Sequence, residues 1–156
     1  MSNEDVDEPA LATRIAALTK GESDIVSLMA TVACEVHHSD QRFDWTGFYR
    51  VVAPDVLKIG PYQGGHGCLT IPFSRGVCGA AARTGTAHIV GDVDAFPGHI
   101  ACSSSTRSEL VLPVRNGDGV LLGVFDIDSD TPDAFEQADA DALQSVLDDT
   151  FRDAKR

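Results

Sequence analysis

The chain has 156 residues, of which 24 are acidic and 12 are basic, so its formal net charge is −12 at neutral pH. This length predicts a single domain, and the acidic excess argues against nucleic acids and anionic membranes as partners, because their phosphates would be repelled. The start, MSNEDVDEPA, lacks the basic and apolar regions of a signal peptide, and no apolar run approaches the roughly 20 residues that span a bilayer. A cytoplasmic protein is therefore predicted.

The chain is predicted to open with two helices. Apolar residues at helical spacing predict a short helix near the end of an acidic N-terminal segment, residues 1–20, and the single domain is predicted to span residues 21–156. The second helix is expected to begin at Ser23, which suits a helix N-cap. Cys34, within this helix, is predicted to pack among apolar neighbours. The predicted apolar face consists of Ile25, Leu28, Met29, Val32 and Val36.

Strands and a small helix are predicted to follow. Phe43–Val52 is rich in aromatic and β-branched residues, and a turn at residues 53–55 joins it to a second strand, Val56–Gly60. Pro61–Gly67 is predicted to be a glycine-rich loop without the motifs of a phosphate-binding loop. The next elements are a strand at Cys68–Ile71, a helix at Gly76–Gly85 and a strand at Ala87–Val90.

The clearest hairpin lies near the end of the chain. Glu109–Val114 and Val120–Asp128 are predicted strands, and the Asn-Gly-Asp-Gly sequence between them is strong turn chemistry. Phe135–Phe151 has apolar residues at helical spacing and predicts a closing helix. The hairpins indicate an antiparallel sheet with helices packed on it, which is an α+β fold.

Three cysteines are candidates for chemistry. Cys102 follows a Pro-Gly pair that predicts a loop, and a thiol there is a candidate nucleophile because reactivity needs access and a stabilised thiolate. Cys78 is predicted near a helix N-terminus, where the backbone dipole favours a thiolate. Cys68 borders the glycine-rich loop. Inert thiols, or a zinc site completed by His66 or His99, are the alternatives, although no C-x2-C spacing is present.

Acidic and aromatic side chains recur at even spacing along two predicted strands. Asp126 and Asp128 therefore share one face of their strand, and Glu109 starts the neighbouring strand and is expected to converge on them. Adjacent acids repel unless a cation or a shared proton separates them. Trp45 and Tyr49 likewise share one face, either as core residues or as the wall of a site for a small ligand.

Short segments along most of the chain form one further pattern. From about Gly21 to Phe151 they include WTGFY (Trp45–Tyr49), GPYQG (Gly60–Gly64), RGVCGAAA (Arg75–Ala82), FPGHIAC (Phe96–Cys102), SELVLP (Ser108–Pro113) and GVFDIDS (Gly123–Ser129). In this combination the chain resembles the free methionine-(R)-sulfoxide reductases. These are single GAF-domain enzymes that reduce the free amino acid rather than methionine sulfoxide in proteins.

The resemblance implies a GAF-like fold, with a central antiparallel sheet of about six strands flanked by helices and a ligand enclosed beneath loops. It implies that Cys102 is the catalytic thiolate, that Cys68 is the resolving cysteine, and that Cys78 is a secondary resolving or pocket cysteine. The family has Asp directly after the catalytic cysteine, where this chain has Ser103. The implied substrate-binding residues are Trp45, Tyr49, Glu109, Asp126 and Asp128.

The implied reaction suits these residues. A thiolate attacks the sulfoxide sulfur, and a carboxylic acid whose pKa is raised by crowding protonates the departing oxygen. Carboxylates that stay ionised hold the substrate ammonium group. The resulting sulfenic acid condenses with a second cysteine to a disulfide, which a dithiol reductant such as thioredoxin reduces.

The resemblance also implies partners. They are free methionine sulfoxide, thioredoxin and, because members of the family often pair, a second copy of the chain as a homodimer. No metal and no organic cofactor is expected. A non-catalytic GAF sensor that binds a small molecule is the alternative function.

Overall fold

The structure is a computed structural model that describes residues 8–156. The described part of the chain forms a six-stranded antiparallel sheet with the strand order β3-β2-β1-β6-β5-β4. The strands are β1 (Trp45–Ala53), β2 (Val56–Gln63), β3 (Thr70–Pro72), β4 (His88–Val90), β5 (Ser108–Arg115) and β6 (Leu121–Ser129). The helices are α1 (Glu8–Leu18), α2 (Ile25–Ser39), α3 (Gly76–Thr84) and α4 (Gln137–Thr150), with a short 3-10 helix at Val93–Ala95.

The two faces of the sheet support separate apolar cores. Successive side chains along a strand point to opposite faces, so Phe48 and Phe125 lie in a core with α1, α2 and α4, which includes Ile15. Their neighbours Tyr49 and Val124 lie in a second core with α3. Three helices therefore cover one face, whereas one short helix and loops cover the other.

Several predicted elements are confirmed. The chain has the predicted α+β antiparallel fold, and β5 and β6 pair as the predicted hairpin. β1 and β2 also form a hairpin, with Asp55 in its tight turn at a φ of 60°. α3 ends where it was predicted to end, because Gly85 adopts a φ of 66° and donates its N–H to the Ala81 carbonyl.

Most observed boundaries differ from the predicted ones by one or two residues, and three of the differences have a clear local cause. Residues 61–63 belong to β2 rather than to a loop, because Tyr62 and Gln63 pair with β1. β3 begins at Thr70, so Cys68 lies in the preceding loop. The N-cap of α2 is Asp24 rather than Ser23, because the Asp24 carboxylate accepts a 3.0 Å hydrogen bond from the Ser27 N–H.

The N-terminal region shows one further difference. Cys34 is half-buried on α2 and lies outside both cores, with its Sγ 3.8 Å from His38 Nδ1. Leu11 and Ile15 of α1 are buried in the same core as α2 and α4. The predicted domain boundary after residue 20 stays a prediction. Among the described residues, no helix combines the length and the apolar character needed to cross a membrane.

Candidate active site

A cavity of about 320 Å³ lies on the α3 side of the sheet. Side chains of β1, β5 and β6 form its floor, and the N-terminal turn of α3 and two loops, residues 64–67 and 99–106, form its walls. Of the eight residues predicted for the site, seven line this cavity, and the eighth, Cys68, is bonded to Cys102, which lines it. The fold therefore brings together all the predicted site residues.

Three carboxyl groups meet on the floor of the cavity. In the register of β5 and β6, Glu109 lies opposite Asp128, and the alternation along β6 places Asp126 on the same face. Glu109 and Asp126 are only 7% and 4% exposed. The carboxyl groups lie within hydrogen-bonding reach of one another. The predicted convergence of the three acids is confirmed.

Burial changes the protonation of these acids. It raises the pKa of Glu109, Asp126 and Asp128 well above the ordinary values of 4.5 for Glu and 3.8 for Asp. Charge repulsion raises each pKa further, since Asp126 acts on Glu109, Asp128 on Asp126, and Glu109 on Asp128. The cluster therefore retains protons at pH values where exposed carboxyl groups are ionised, and it can supply one to a bound ligand.

Two oxygen atoms of the cluster receive no hydrogen bond from the surrounding N–H and hydroxyl groups of the described residues. These atoms, Asp126 Oδ1 and Asp128 Oδ1, are buried, so the cluster's own protons are their source of hydrogen bonds. A buried polar atom without a partner is costly, and the cost falls when a donor binds to it. The cluster is therefore suited to a ligand that brings N–H or O–H groups into the cavity.

Cys78 lies beside the acids in the first turn of α3 and is 3% exposed. Burial raises the pKa of its thiol well above the ordinary value, and the charges of Asp126 and Glu109 raise it further. The prediction that the helix N-terminus favours a thiolate at Cys78 is wrong. The dipole is equivalent to roughly half a charge, and here the loss of hydration and the nearby acids outweigh it.

Cys68 and Cys102 form a disulfide, with Cα atoms 5.3 Å apart and 34 residues between them in sequence. The bond connects the loop before β3 to the loop before β5 at the wall of the cavity. Because both sulfur atoms are in this bond, the alternative zinc site built on the three cysteines is not formed. Cys78 is the free thiol of the cavity.

The aromatic wall is held by the glycine-rich loop. The ring of Trp45 stacks on Tyr49 and Tyr62 at centroid distances of 6.0 and 5.3 Å, and its Nε1 donates a 2.8 Å hydrogen bond to the Gly65 carbonyl. A Cβ at Gly67 would lie 3.0 to 3.1 Å from the Trp45 and Tyr49 side chains, so glycine lets the loop close on both rings. Burial raises the pKa of Tyr49 above its ordinary value of 10.0, so its hydroxyl stays neutral.

Glycines also join the Cys102 loop to α3. The N–H of Gly76 donates a 3.0 Å hydrogen bond to the carbonyl of Gly98, and both residues have positive φ, 71° and 75°. The loop then places His99 against the cavity, with its Nδ1 buried and without a partner in the described structure. Ser103, where the resemblance noted above implies Asp, accepts a 3.4 Å hydrogen bond from the Ser105 N–H. Its hydroxyl thus accepts a hydrogen bond from the backbone N–H two residues further along, as an Asp carboxylate does in a turn.

Two acids at the mouth of the cavity were not predicted. Asp44 and Asp130 both line it, and the Asp44 carboxylate accepts a 2.8 Å hydrogen bond from the Asp130 N–H. The Asp44 N–H in turn donates to the carbonyl of Asp128, 3.0 Å away. The sequence indicates Asp130, because it continues the alternation of Asp126 and Asp128 by two residues. It indicates Asp44 more weakly, because this acid directly precedes Trp45 at the start of β1.

The chain has clear relatives among known proteins. It matches the GAF domain family over residues 19–150. It is 36% identical to the free methionine-R-sulfoxide reductase of Escherichia coli K12 over 133 residues, which cover 84% of this chain and 78% of that protein. Two solved structures of free methionine-R-sulfoxide reductases are similar.

The first, from Neisseria meningitidis in complex with its substrate, has a TM-score of 0.87 and 38% identity, covering 97% of this chain and 92% of that one. The second, from Staphylococcus aureus in its reduced form, has a TM-score of 0.90 and 29% identity, covering 97% of both chains. The fold and the cavity thus define a GAF domain, here with a disulfide beside buried acids. Within that class, the chain belongs to the free methionine-R-sulfoxide reductase family of oxidoreductases.

Proposed function

We propose that this protein reduces free L-methionine-(R)-sulfoxide to L-methionine in the cytoplasm, and that the reaction itself uses no metal and no organic cofactor. One observation carries the proposal: the Cys68–Cys102 disulfide lies at the wall of a cavity whose floor holds three buried, proton-retaining carboxyl groups. Reduction of a sulfoxide by a thiol needs these two components, a nucleophilic sulfur and a proton donor.

In the first step, the reduced Cys102 attacks the sulfoxide sulfur as a thiolate. The attack forms a bond between the two sulfur atoms, and a carboxylic acid of the cluster gives its proton to the sulfoxide oxygen. The resulting hydroxyl group then passes to the Cys102 sulfur as its bond to the substrate sulfur and the bond between the two sulfur atoms break, which leaves Cys102 as sulfenic acid and releases methionine. Raised pKa values keep this donor protonated. An ionised carboxylate of the cluster holds the substrate ammonium, and Trp45 and Tyr49 contact the methyl group and select one sulfur configuration by shape.

In the second step, the Cys68 thiol attacks the sulfenic sulfur and water leaves, which forms the disulfide. Its geometry supports this step, because the Cα separation of 5.3 Å falls within the range that disulfides adopt. A dithiol such as thioredoxin then restores both thiols by exchange and is itself oxidised. Cys78 serves as a secondary resolving cysteine or as a pocket cysteine. We expect the protein to act as a homodimer.

The test is a stereospecific assay with both sulfoxide epimers, free and peptide-bound, in the presence of thioredoxin and its reductase. We expect consumption of the free R epimer only. Cys102→Ser should abolish turnover, whereas Cys34→Ser, outside the cavity, should keep it. Cys68→Ser should retain the first turnover and slow recycling.

Full activity of Cys102→Ser would refute the mechanism. A wild-type protein that binds methionine tightly and turns over neither epimer would instead be a non-catalytic GAF sensor. Measuring methionine affinity by calorimetry on the same preparation distinguishes that result from a protein that is simply misfolded.

A further inference from the structure

A second chemistry is available at the floor of the cavity. Sγ of Cys78 and one carboxylate oxygen each of Glu109 and Asp126 all lie within 4.8 Å of one another. The three side chains come from α3, β5 and β6, and none is more than 7% exposed. Each element is anchored in the fold, so the three potential ligands are held in place independently.

A second observation concerns the hydrogen bonding of these atoms. Asp126 Oδ1 is buried and accepts no hydrogen bond from an N–H or hydroxyl group of the described residues, and the same holds for Asp128 Oδ1, so only protons of the cluster itself or a bound cation can satisfy these oxygens. No Lys or Arg side chain is among the described residues that line the cavity. The described residues therefore place no Lys or Arg charge beside these oxygens, and the histidines of the cavity wall are His66 and His99.

The donor set selects the kind of cation. A divalent cation that binds here displaces the protons of Cys78, Glu109 and Asp126, which leaves one thiolate and two carboxylates as ligands. This combination of sulfur and oxygen ligands suits Zn²⁺ or Co²⁺ better than Mg²⁺ or Ca²⁺, which prefer oxygen alone. Zinc–sulfur bonds of about 2.3 Å and zinc–oxygen bonds of about 2.1 Å place neighbouring ligand atoms roughly 3.5 Å apart. Side-chain movements of about 1 Å would bring the three ligand atoms, now within 4.8 Å of one another, to that spacing.

We propose that Cys78, Glu109 and Asp126 form a binding site for a thiophilic divalent cation such as Zn²⁺, and that this cation inhibits the reductase. Asp128 or a water molecule completes the coordination from the open side of the cavity. A bound cation occupies the carboxylates that the reaction needs for the substrate ammonium and for the proton donor. Inhibition should therefore be competitive with the sulfoxide. The inhibitory part rests on the proposed function, whereas the binding part does not.

Binding is tested without any assay of activity. The full-length protein in its disulfide form is titrated with Co²⁺, because oxidation of Cys68 and Cys102 leaves Cys78 as the free thiol of the cavity. We expect a near-ultraviolet thiolate-to-cobalt charge-transfer band that Zn²⁺ removes. Cys78→Ser should lose the band, and Asp126→Asn should weaken cobalt binding at least tenfold. Cys34→Ser is the matched control and should keep the band.

Circular dichroism of each variant separates loss of ligation from loss of fold. The inference is overturned if the folded wild-type protein shows no band, if a folded Cys78→Ser variant keeps it, or if Cys34→Ser removes it. Steady-state kinetics with Zn²⁺ then test inhibition, with Cys34→Ser again as the control. A protein that shows the band but reduces no sulfoxide would refute the proposed function and leave the metal site standing.

Discussion

Phe125 and Asp126 are neighbours on β6, and both are almost completely buried, yet their surroundings differ in kind. Phe125 packs on Phe48 with ring centroids 4.6 Å apart, in the core that three helices cover. Asp126 faces the cavity on the other side, beside Cys78 and Glu109, and its Oδ1 accepts no hydrogen bond from an N–H or hydroxyl group of the described residues. One strand thus carries a stabilising face and a face on which burial of acids opposes folding.

The difference between the faces explains where chemistry can be placed. The helical face excludes water and makes dense apolar contacts, which stabilise the fold. That stability lets the opposite face hold protonated acids and a free thiol at a cost to folding. Substitutions on the two faces should therefore have opposite signatures: loss of stability on one and loss of turnover on the other.

The largest effect is expected from the acids. Asp126→Asn and Glu109→Gln should each lower kcat/KM for the R epimer by about 10²- to 10⁴-fold, because each removes a group that binds substrate or moves a proton. Asp118→Asn, in the exposed turn of the same hairpin, should have no effect. Retention of full activity by both acid variants would remove the cluster from the mechanism.

Phe125→Ala is expected to lower the stability of the fold and to leave turnover unchanged. Truncation of this buried ring should lower the free energy of unfolding by about 3–5 kcal/mol, because it leaves a cavity in the helical core. Urea unfolding followed by tryptophan fluorescence measures the change, and Val52→Ala, on an exposed side chain, should change it little. The folded fraction should keep a normal kcat. A folded variant with impaired chemistry would show that the two faces are coupled.

The pH dependence of stability is expected to be smaller. The folded-state pKa values of Glu109, Asp126 and Asp128 are raised, so the folded state binds more protons than the unfolded chain does. The associated stability is fully present below the unfolded values near 4 and is lost as pH rises through the folded values. Each group contributes a slope of at most about 1.4 kcal/mol per pH unit.

This prediction is checked by urea unfolding across a pH series for the wild type and Asp126→Asn. The wild type should lose stability more steeply than the variant as the pH rises. Equal slopes would contradict the assignment of a raised pKa to this cluster. Asp118→Asn, whose carboxyl group is exposed, should follow the wild type.

The smallest effect is expected at Ser103. Because its hydroxyl already makes the local hydrogen bond to the Ser105 N–H, Ser103→Asp exchanges one acceptor for another. A hydrogen bond of this kind contributes about 1 kcal/mol, so kcat/KM should change by less than about fivefold. Ser104→Asp adds the same charge one residue further along and serves as the control. A change above tenfold in Ser103→Asp alone would give this position a direct role.

Much of the fold followed from local pattern. The hairpin around Asn116–Gly119, the glycine end of α3 and the shared faces of Trp45 with Tyr49 and of Asp126 with Asp128 were all predicted correctly. One error came where a neighbouring strand decided the secondary structure. Residues 61–63 resemble a loop by composition, but pairing with β1 makes them strand.

The chemistry of the cysteines depended on more distant contacts. The helix dipole alone predicts a lowered pKa for Cys78. Burial of the thiol and the charges of the acids on β5 and β6 raise this pKa instead. The pairing of Cys68 with Cys102 was implied by family resemblance and not by spacing, since 34 residues separate them.

By itself, the sequence determined which residues share a face, where the turns lie and which side chains are chemically competent, because these properties depend on neighbours along the chain. Only the tertiary structure decided that β5 and β6 bring three acids under α3 and that two loops meet in a disulfide. It also decided that these acids keep their protons. Protonation follows from burial and from charges on other elements, and these exist only after the sheet has formed.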